Sequence, residues 1–169
     1  MTKDDKKMKT FIFLSFCLFV FLSACNNNAN RSSIPAVPVQ LRIDLQHFLH
    51  LSAILGTQYF TEANPVIGVW NVGYGGVLIS TFMDLSSPNV LHAAFDMACP
   101  YEVDRNIRVF PEGEDRRFAA FAVCEKCGSR FDLIGGLGMV IEGPAKEGLR
   151  RFNVFREGTF LRVVQRYDL

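Results

Sequence analysis

The sequence carries almost no net charge and no cluster of basic residues. Its 18 lysines and arginines are nearly balanced by 17 acidic residues, which leaves a formal net charge of +1. A basic patch with interleaved aromatic side chains, which is typical of a nucleic-acid-binding surface, is missing. We therefore expect no nucleic-acid partner.

The sequence also lacks a convincing membrane-spanning helix. Its amino-terminal apolar run, residues 11–22, is shorter than the roughly 20 residues that a spanning helix needs. This run follows a lysine-rich segment, residues 1–9, and ends in small residues rather than in a basic cluster. A basic segment followed by a short apolar run is typical of a cleaved signal peptide.

The apolar run ends at Leu22-Ser23-Ala24-Cys25, which resembles the bacterial lipobox. That resemblance implies cleavage before Cys25 and attachment of lipid to its thiol. It predicts a cleaved signal peptide over residues 1–24, a flexible tether over 25–36 and a β domain over 37–169. We expect a lipoprotein of the bacterial cell envelope that is anchored to a membrane on the periplasmic or surface side.

The remainder of the chain shows many short strand-like segments separated by glycine and proline turns. Residues 37–45 alternate between apolar and polar side chains, which predicts a half-buried strand. The segment 47–60 is less regular and is interpreted as a loop or a short helix. Further strands are predicted at the following places: 66–72, 76–82, 90–95, 107–110, 118–123, and a hairpin of 152–154 and 160–164 that turns at Glu157-Gly158. These patterns predict an all-β fold.

Three cysteines remain after the signal peptide and the lipidated cysteine are set aside. They are Cys99, Cys124 and Cys127. An odd number allows at most one internal disulfide. Export places these thiols where disulfides form and persist.

Short motifs around these cysteines occur in a defined order. They are Cys99-Pro100-Tyr101, Cys124-Glu125-Lys126-Cys127-Gly128, Ser129-Arg130-Phe131-Asp132, Gly143-Pro144-Ala145 and Leu149-Arg150-Arg151-Phe152-Asn153-Val154. Together they resemble the Rieske iron–sulfur domain over residues 64–165. The resemblance implies an antiparallel β-sandwich or small barrel with cluster-binding loops at one tip. It also implies a [2Fe–2S] cluster.

The residues at the implied ligand positions differ from the family pattern. A Rieske cluster binds one iron through two cysteines and the other through two histidines. The resemblance places Cys99 and Cys124 at the cysteine positions, and Tyr101 and Cys127 at the histidine positions. No Arg-Arg pair that would indicate twin-arginine export precedes Phe11. We therefore expect the domain to lack a standard Rieske cluster.

Three interpretations of the cysteines stay open. The favoured one is a structural disulfide, because the resemblance brings Cys99 near Cys124 or Cys127. The second is a zinc site built on the Cys124-x-x-Cys127 knuckle with Cys99 as third ligand, for which His47, His50, His92 and Asp96 are weak candidates as the fourth. The third is a redox-active pair, which we disfavour because Cys124 ends a strand-like run instead of beginning a helix.

These observations predict a structural or interaction module of the cell envelope with a possible envelope protein partner. The alternative is an electron-transfer protein whose altered [2Fe–2S] cluster is bound by Cys99, Cys124, Cys127 and Tyr101, or a zinc-stabilised variant. We expect no enzymatic activity of its own and at most a role as an electron carrier.

Overall fold

The computed structural model describes residues 32–84 and 89–165, and they form an all-β fold, as predicted. The predicted signal peptide, Cys25 and the tether as far as residue 31 lie outside the described residues. Within the part of the chain that is described, no helix has the length and apolar character that a membrane crossing requires.

Eleven strands are present in the described ranges. They are β1 (Val39–Asp44), β2 (Thr57–Phe60), β3 (Val69–Val72), β4 (Val77–Met83), β5 (Val90–Asp96), β6 (Val109–Pro111), β7 (Phe121–Cys124), β8 (Arg130–Asp132), β9 (Val140–Glu142), β10 (Arg151–Glu157) and β11 (Phe160–Val164). Two short 3₁₀ helices, Leu49–Ser52 and Pro65–Ile67, lie between strands.

Seven strands form an antiparallel, barrel-like sheet in the order β2-β4-β5-β10-β11-β1-β3. Strand β1 shows why this sheet forms, because Val39, Leu41 and Ile43 are buried while Gln40 and Arg42 are exposed. Period-two burial of this kind places every second side chain in the core. The interior of the sheet is filled by apolar side chains from all of its parts.

The other four strands form a smaller antiparallel sheet in the order β6-β7-β8-β9. A second core cluster lies against it, and this cluster contains Phe95, Phe131, Cys99 and Cys124. Two of the three candidate cysteines are therefore part of the buried core of the domain.

The predicted strands agree with the structure where the alternation is long. The hairpin turn at Glu157-Gly158 is confirmed, since Glu157, the last residue of β10, and Phe160, the first residue of β11, are register partners. The irregular segment 47–60 contains a 3₁₀ helix, as interpreted, but also strand β2. Strand β8, which has three residues, is not among the predicted strands.

Candidate metal centre

The three cysteines are brought together by two neighbouring connections of the chain. Cys99 lies in the connection from β5 to β6, Cys124 is the last residue of β7, and Cys127 lies in the turn from β7 to β8. Strand β6 pairs with β7, and this ladder aligns Val109 with Cys124. Residues that are distant in sequence thereby meet at one end of the smaller sheet.

Backbone pairing continues from β6 to the segment that carries Cys99. The N–H of Cys99 donates to the carbonyl of Ile107 at 3.0 Å, and the N–H of Val109 donates to the carbonyl of Met97 at 2.7 Å. Cys99 is therefore held by β-type hydrogen bonds before its loop begins.

The turn between Cys124 and Cys127 is closed by two backbone hydrogen bonds. The N–H of Gly128 donates to the carbonyl of Cys124 at 2.8 Å, and the N–H of Cys124 donates to the carbonyl of Ser129 at 2.9 Å. Gly128 has a φ of 73°, in the left-handed region that glycine adopts without steric cost. This glycine allows the turn to direct both cysteine side chains to the same side.

The three sulfur atoms converge on one point. All three Sγ atoms lie within 4.8 Å of one another, and the Sγ atoms of Cys99 and Cys127 are 3.6 Å apart. All three thiols are free. The predicted disulfide between Cys99 and Cys124 or Cys127 is therefore wrong for this structure, since a disulfide bond is about 2.05 Å long. The physical reason is that the two loops bring three sulfur atoms around a common centre. A disulfide bridge requires two sulfur atoms at bonding distance from each other.

Burial makes the Cys99 thiol weakly acidic. Burial raises the pKa of Cys99 to about 12, although the backbone N–H groups of Glu102 and Tyr101 are directed at its sulfur and act in the opposite sense. Amide donors of this kind stabilise a sulfur that carries negative charge, as a metal-bound thiolate does.

Cys127 lies in a more polar environment. Burial alone would raise the pKa of the Cys127 thiol, but hydrogen bonds from the side chain and the backbone of Ser129 outweigh burial and lower the pKa. The Sγ atom of Cys127 and the Oγ atom of Ser129 are 3.1 Å apart. In the thiol form Cys127 donates to the Ser129 oxygen, which also accepts the N–H of Ala145 at 3.0 Å; in the thiolate form the Ser129 hydroxyl donates to the sulfur. Ser129 thus stabilises the thiolate form of Cys127.

The Gly143-Pro144-Ala145 turn approaches Ser129 very closely. A Cβ atom on Gly143 would come within 2.5 Å of the Ser129 Cα atom, so only glycine fits here. The sequence showed both motifs but not their contact. The supporting role of Ser129 was therefore missed, and only the order of the motifs hinted at it.

An ion pair connects the two cysteine-bearing connections at the surface. The Nζ atom of Lys126 lies 2.7 Å from Oε2 of Glu102. Surface pairs contribute little stability on their own. This pair bridges the two loops at the surface.

The remaining candidate ligands lie elsewhere. In the residues that the structure describes, no histidine or carboxylate joins the group of three sulfurs. His92 places its Nε2 atom 2.8 Å from the carbonyl of Leu51, and His50 contacts the ring of Phe118 edge-on. The side chain of Tyr101 is 54% exposed, and only its backbone N–H is directed at Cys99.

No family model and no curated protein matches this chain. The resemblance to the Rieske domain therefore stays a prediction from motifs.

Proposed function

We propose that the chain is an envelope lipoprotein whose β domain binds one metal ion, zinc, through Cys99, Cys124 and Cys127. The observation that carries this proposal is the convergence of three free thiols from two separate connections of the chain. Thiolates are the preferred ligands of zinc in structural sites.

The sulfur separations fit one tetrahedral ion. Zinc–sulfur bonds of about 2.3 Å at the tetrahedral angle separate two ligand sulfurs by about 3.8 Å. The observed Cys99–Cys127 separation is 3.6 Å, and no pair of the three exceeds 4.8 Å. Small side-chain rotations are enough to close such a site.

The same distances argue against an altered [2Fe–2S] cluster. In the arrangement implied by the resemblance, Cys99 and Cys127 would bind different irons, and their sulfurs would lie on opposite sides of the cluster. A separation of 3.6 Å is that of two ligands on one ion. The exposed phenol of Tyr101 offers no support for a fourth cluster ligand.

The fourth ligand of the zinc ion would come from solution. Zinc prefers four ligands, and among the described residues only three candidate ligands form the group. Cys127 is half-buried whereas Cys99 and Cys124 are buried, so the open position lies on the side of Cys127. We expect a water molecule there, or a side chain of a bound partner.

Zinc at this position would join the β5–β6 connection to the β7–β8 turn. A rigid tip of this kind suits a structural or interaction module that meets another protein of the envelope.

The lipid anchor at Cys25 is part of the proposal, and Cys25→Ser should move the protein from the membrane fraction to the soluble fraction.

Elemental analysis of the full chain extracted from native membranes tests the metal. We expect about one zinc per chain, no acid-labile sulfide, and loss of the zinc in Cys127→Ser. The matched control is Glu125→Ser, which changes an exposed residue of the same turn and should keep the zinc. Stoichiometric iron and acid-labile sulfide would show that the site holds an altered electron-transfer cluster instead of zinc. A metal-free protein with a Cys99–Cys127 disulfide would overturn the proposal.

A further inference from the structure

A cavity on the outer face of the large sheet shares no residue with the cysteine cluster. Its volume is about 400 Å³, which is within the range of small-molecule sites. Its lining includes Gln40 and Arg42 from β1, Trp70 and Asn71 from β3, and Arg162 from β11. With Gln165, which follows β11, the cavity combines two cations, three amides and one large aromatic ring.

Two arginines of this cavity face each other across a strand pair. Arg42 and Arg162 are register partners in the antiparallel β1–β11 ladder. Like charges directly opposite each other destabilise a sheet. Glu157 offsets one of the two charges, with its carboxylate 2.7 Å from Nε of Arg162 and 3.8 Å from Nε of Arg42. Glu157 lies outside the cavity lining, which contains both arginines and no carboxylate, and this favours an anionic ligand.

Aromatic rings hold both guanidinium groups in place. The Cζ atom of Arg42 lies 3.9 Å from the centroid of the Phe160 ring, and that of Arg162 lies 4.7 Å from the centroid of the Phe155 ring. Both contacts with Glu157 use the Nε atoms. Arg162 donates to Glu157 through Nε, and a ligand carboxylate would be bound through the Nη groups, which supply bidentate hydrogen bonds.

Trp70 adds a flat apolar surface to the same cavity. It lies on the edge strand β3, and it is 42% exposed. An indole face of this kind stacks against the apolar face of a sugar ring. The amides of Gln40 and Asn71 each offer donors and an acceptor, which match the hydroxyl groups of a sugar.

We propose that this cavity binds an acidic saccharide, with a sugar ring on Trp70 and the sugar carboxylate between Arg42 and Arg162. An inorganic anion would use the arginines but leave the indole exposed. A neutral glycan would use the indole but leave the excess charge of the arginine pair uncompensated. Of these three ligand classes, the acidic saccharide alone uses the indole ring, the amides and the arginine pair together.

The single tryptophan of the chain makes the proposal directly testable, because tryptophan fluorescence then reports on this cavity alone. We expect the full chain, titrated with the tetrasaccharide of galacturonic acid, to show a saturable change in fluorescence. Arg42→Gln and Arg162→Gln should each weaken binding at least about tenfold, because each removes charged hydrogen bonds. The matched control is Arg117→Gln, in an exposed loop where Arg117 pairs with Asp115, and it should keep the affinity.

Two comparisons decide whether the ligand is an acidic saccharide. The neutral tetrasaccharide of galactose should bind at least about tenfold more weakly, since it lacks the carboxylates. Trp70→Ala should abolish binding in isothermal titration calorimetry, which needs no tryptophan. Equal binding of the neutral sugar, the same response to inorganic phosphate, or no response from a folded protein would overturn the proposal.

Discussion

The Asp96 carboxylate accepts the backbone N–H of Ala98 at 2.8 Å and so fixes the chain just before Cys99. The same carboxylate accepts the N–H of Gly75 at 2.9 Å and the N–H of Tyr74 at 3.1 Å. Burial raises the pKa of Asp96, although these three hydrogen bonds act against burial. One buried carboxylate therefore connects the turn after β3 to the segment that carries Cys99.

Asp96→Asn should destabilise the domain by about 1–3 kcal/mol, since the asparagine oxygen can still accept the N–H groups of Gly75 and Ala98 but its amide nitrogen cannot accept the N–H of Tyr74. Urea unfolding measures this change. The control is Asp44→Asn, because Asp44 accepts the N–H of Gln46 at 3.0 Å at an exposed position. The control should change stability by less than about 0.5 kcal/mol. Equal effects of the two substitutions would contradict the role of Asp96.

Val103 has a strained backbone in the loop that follows Cys99. Its φ is 52°, in the left-handed region, which is unusual for a β-branched residue. Its N–H donates to the carbonyl of Cys99 at 2.9 Å, and its carbonyl accepts the hydroxyl of Tyr74 at 3.2 Å. These contacts hold Val103 in a conformation that it would otherwise avoid.

Val103→Asn should stabilise the domain by about 1 kcal/mol, because asparagine tolerates the left-handed conformation better than valine does. Thermal unfolding measures the gain. Val66→Asn is the matched control, since Val66 is 94% exposed and does not have a positive φ. A loss of stability in Val103→Asn would show that its side chain contributes more by packing than its backbone costs by strain.

The predictability of the fold depended on strand length. Alternation over residues 37–45 was long enough to predict β1, and the turn at Glu157 fixed the position of the final hairpin. Strand β2 shows no alternation, since Thr57 and Phe60 are buried and the two residues between them are half-buried. Its pairing with β4 is a tertiary effect that the local sequence does not encode.

The candidate site was predictable in its members but not in its chemistry. The motif order indicated that Cys99 lies near Cys124 and Cys127. It could not indicate a sulfur separation of 3.6 Å, which is too long for a covalent bridge and is compatible with the proposed metal ion. The support from Ser129 was also hidden, since it depends on the N–H of Ala145 from 16 positions away.

His92 makes the stability of the domain depend on pH. Burial lowers its pKa below 6.5, although its hydrogen bond to the carbonyl of Leu51 acts in the opposite sense. The unfolded chain therefore binds more protons than the folded chain between the two pKa values, and stability falls as pH falls through 6.5. Burial lowers the pKa of His50 as well, so the two histidines act in the same direction.

His92→Gln should lose less stability than the wild type on acidification from about pH 7.5 to about pH 5.5, because glutamine keeps a donor for Leu51 but does not titrate. Urea unfolding at the two pH values measures the difference. His47→Gln, which changes an exposed histidine, should behave as the wild type does. Identical pH dependence in His92→Gln and the wild type would exclude His92 as the cause.

The three thiols should differ in their accessibility to alkylation. Cys99 and Cys124 are each 0% exposed, whereas Cys127 is half-buried. In the reduced protein without metal, iodoacetamide should therefore modify Cys127 at least about ten times faster than the two buried thiols, since access controls the reactivity of a cysteine.

Peptide mapping by mass spectrometry at successive times measures the three rates, and the unfolded chain in urea supplies the reference in which all three thiols react. Added zinc should protect Cys127 in the folded protein, because a metal-bound thiolate is a poorer nucleophile than a free one. Protection in the wild type that is absent in Cys99→Ser would show that the two sulfurs share one ion. If zinc protects Cys127 equally in both proteins, the ion is bound without Cys99 and the three-thiolate site is wrong.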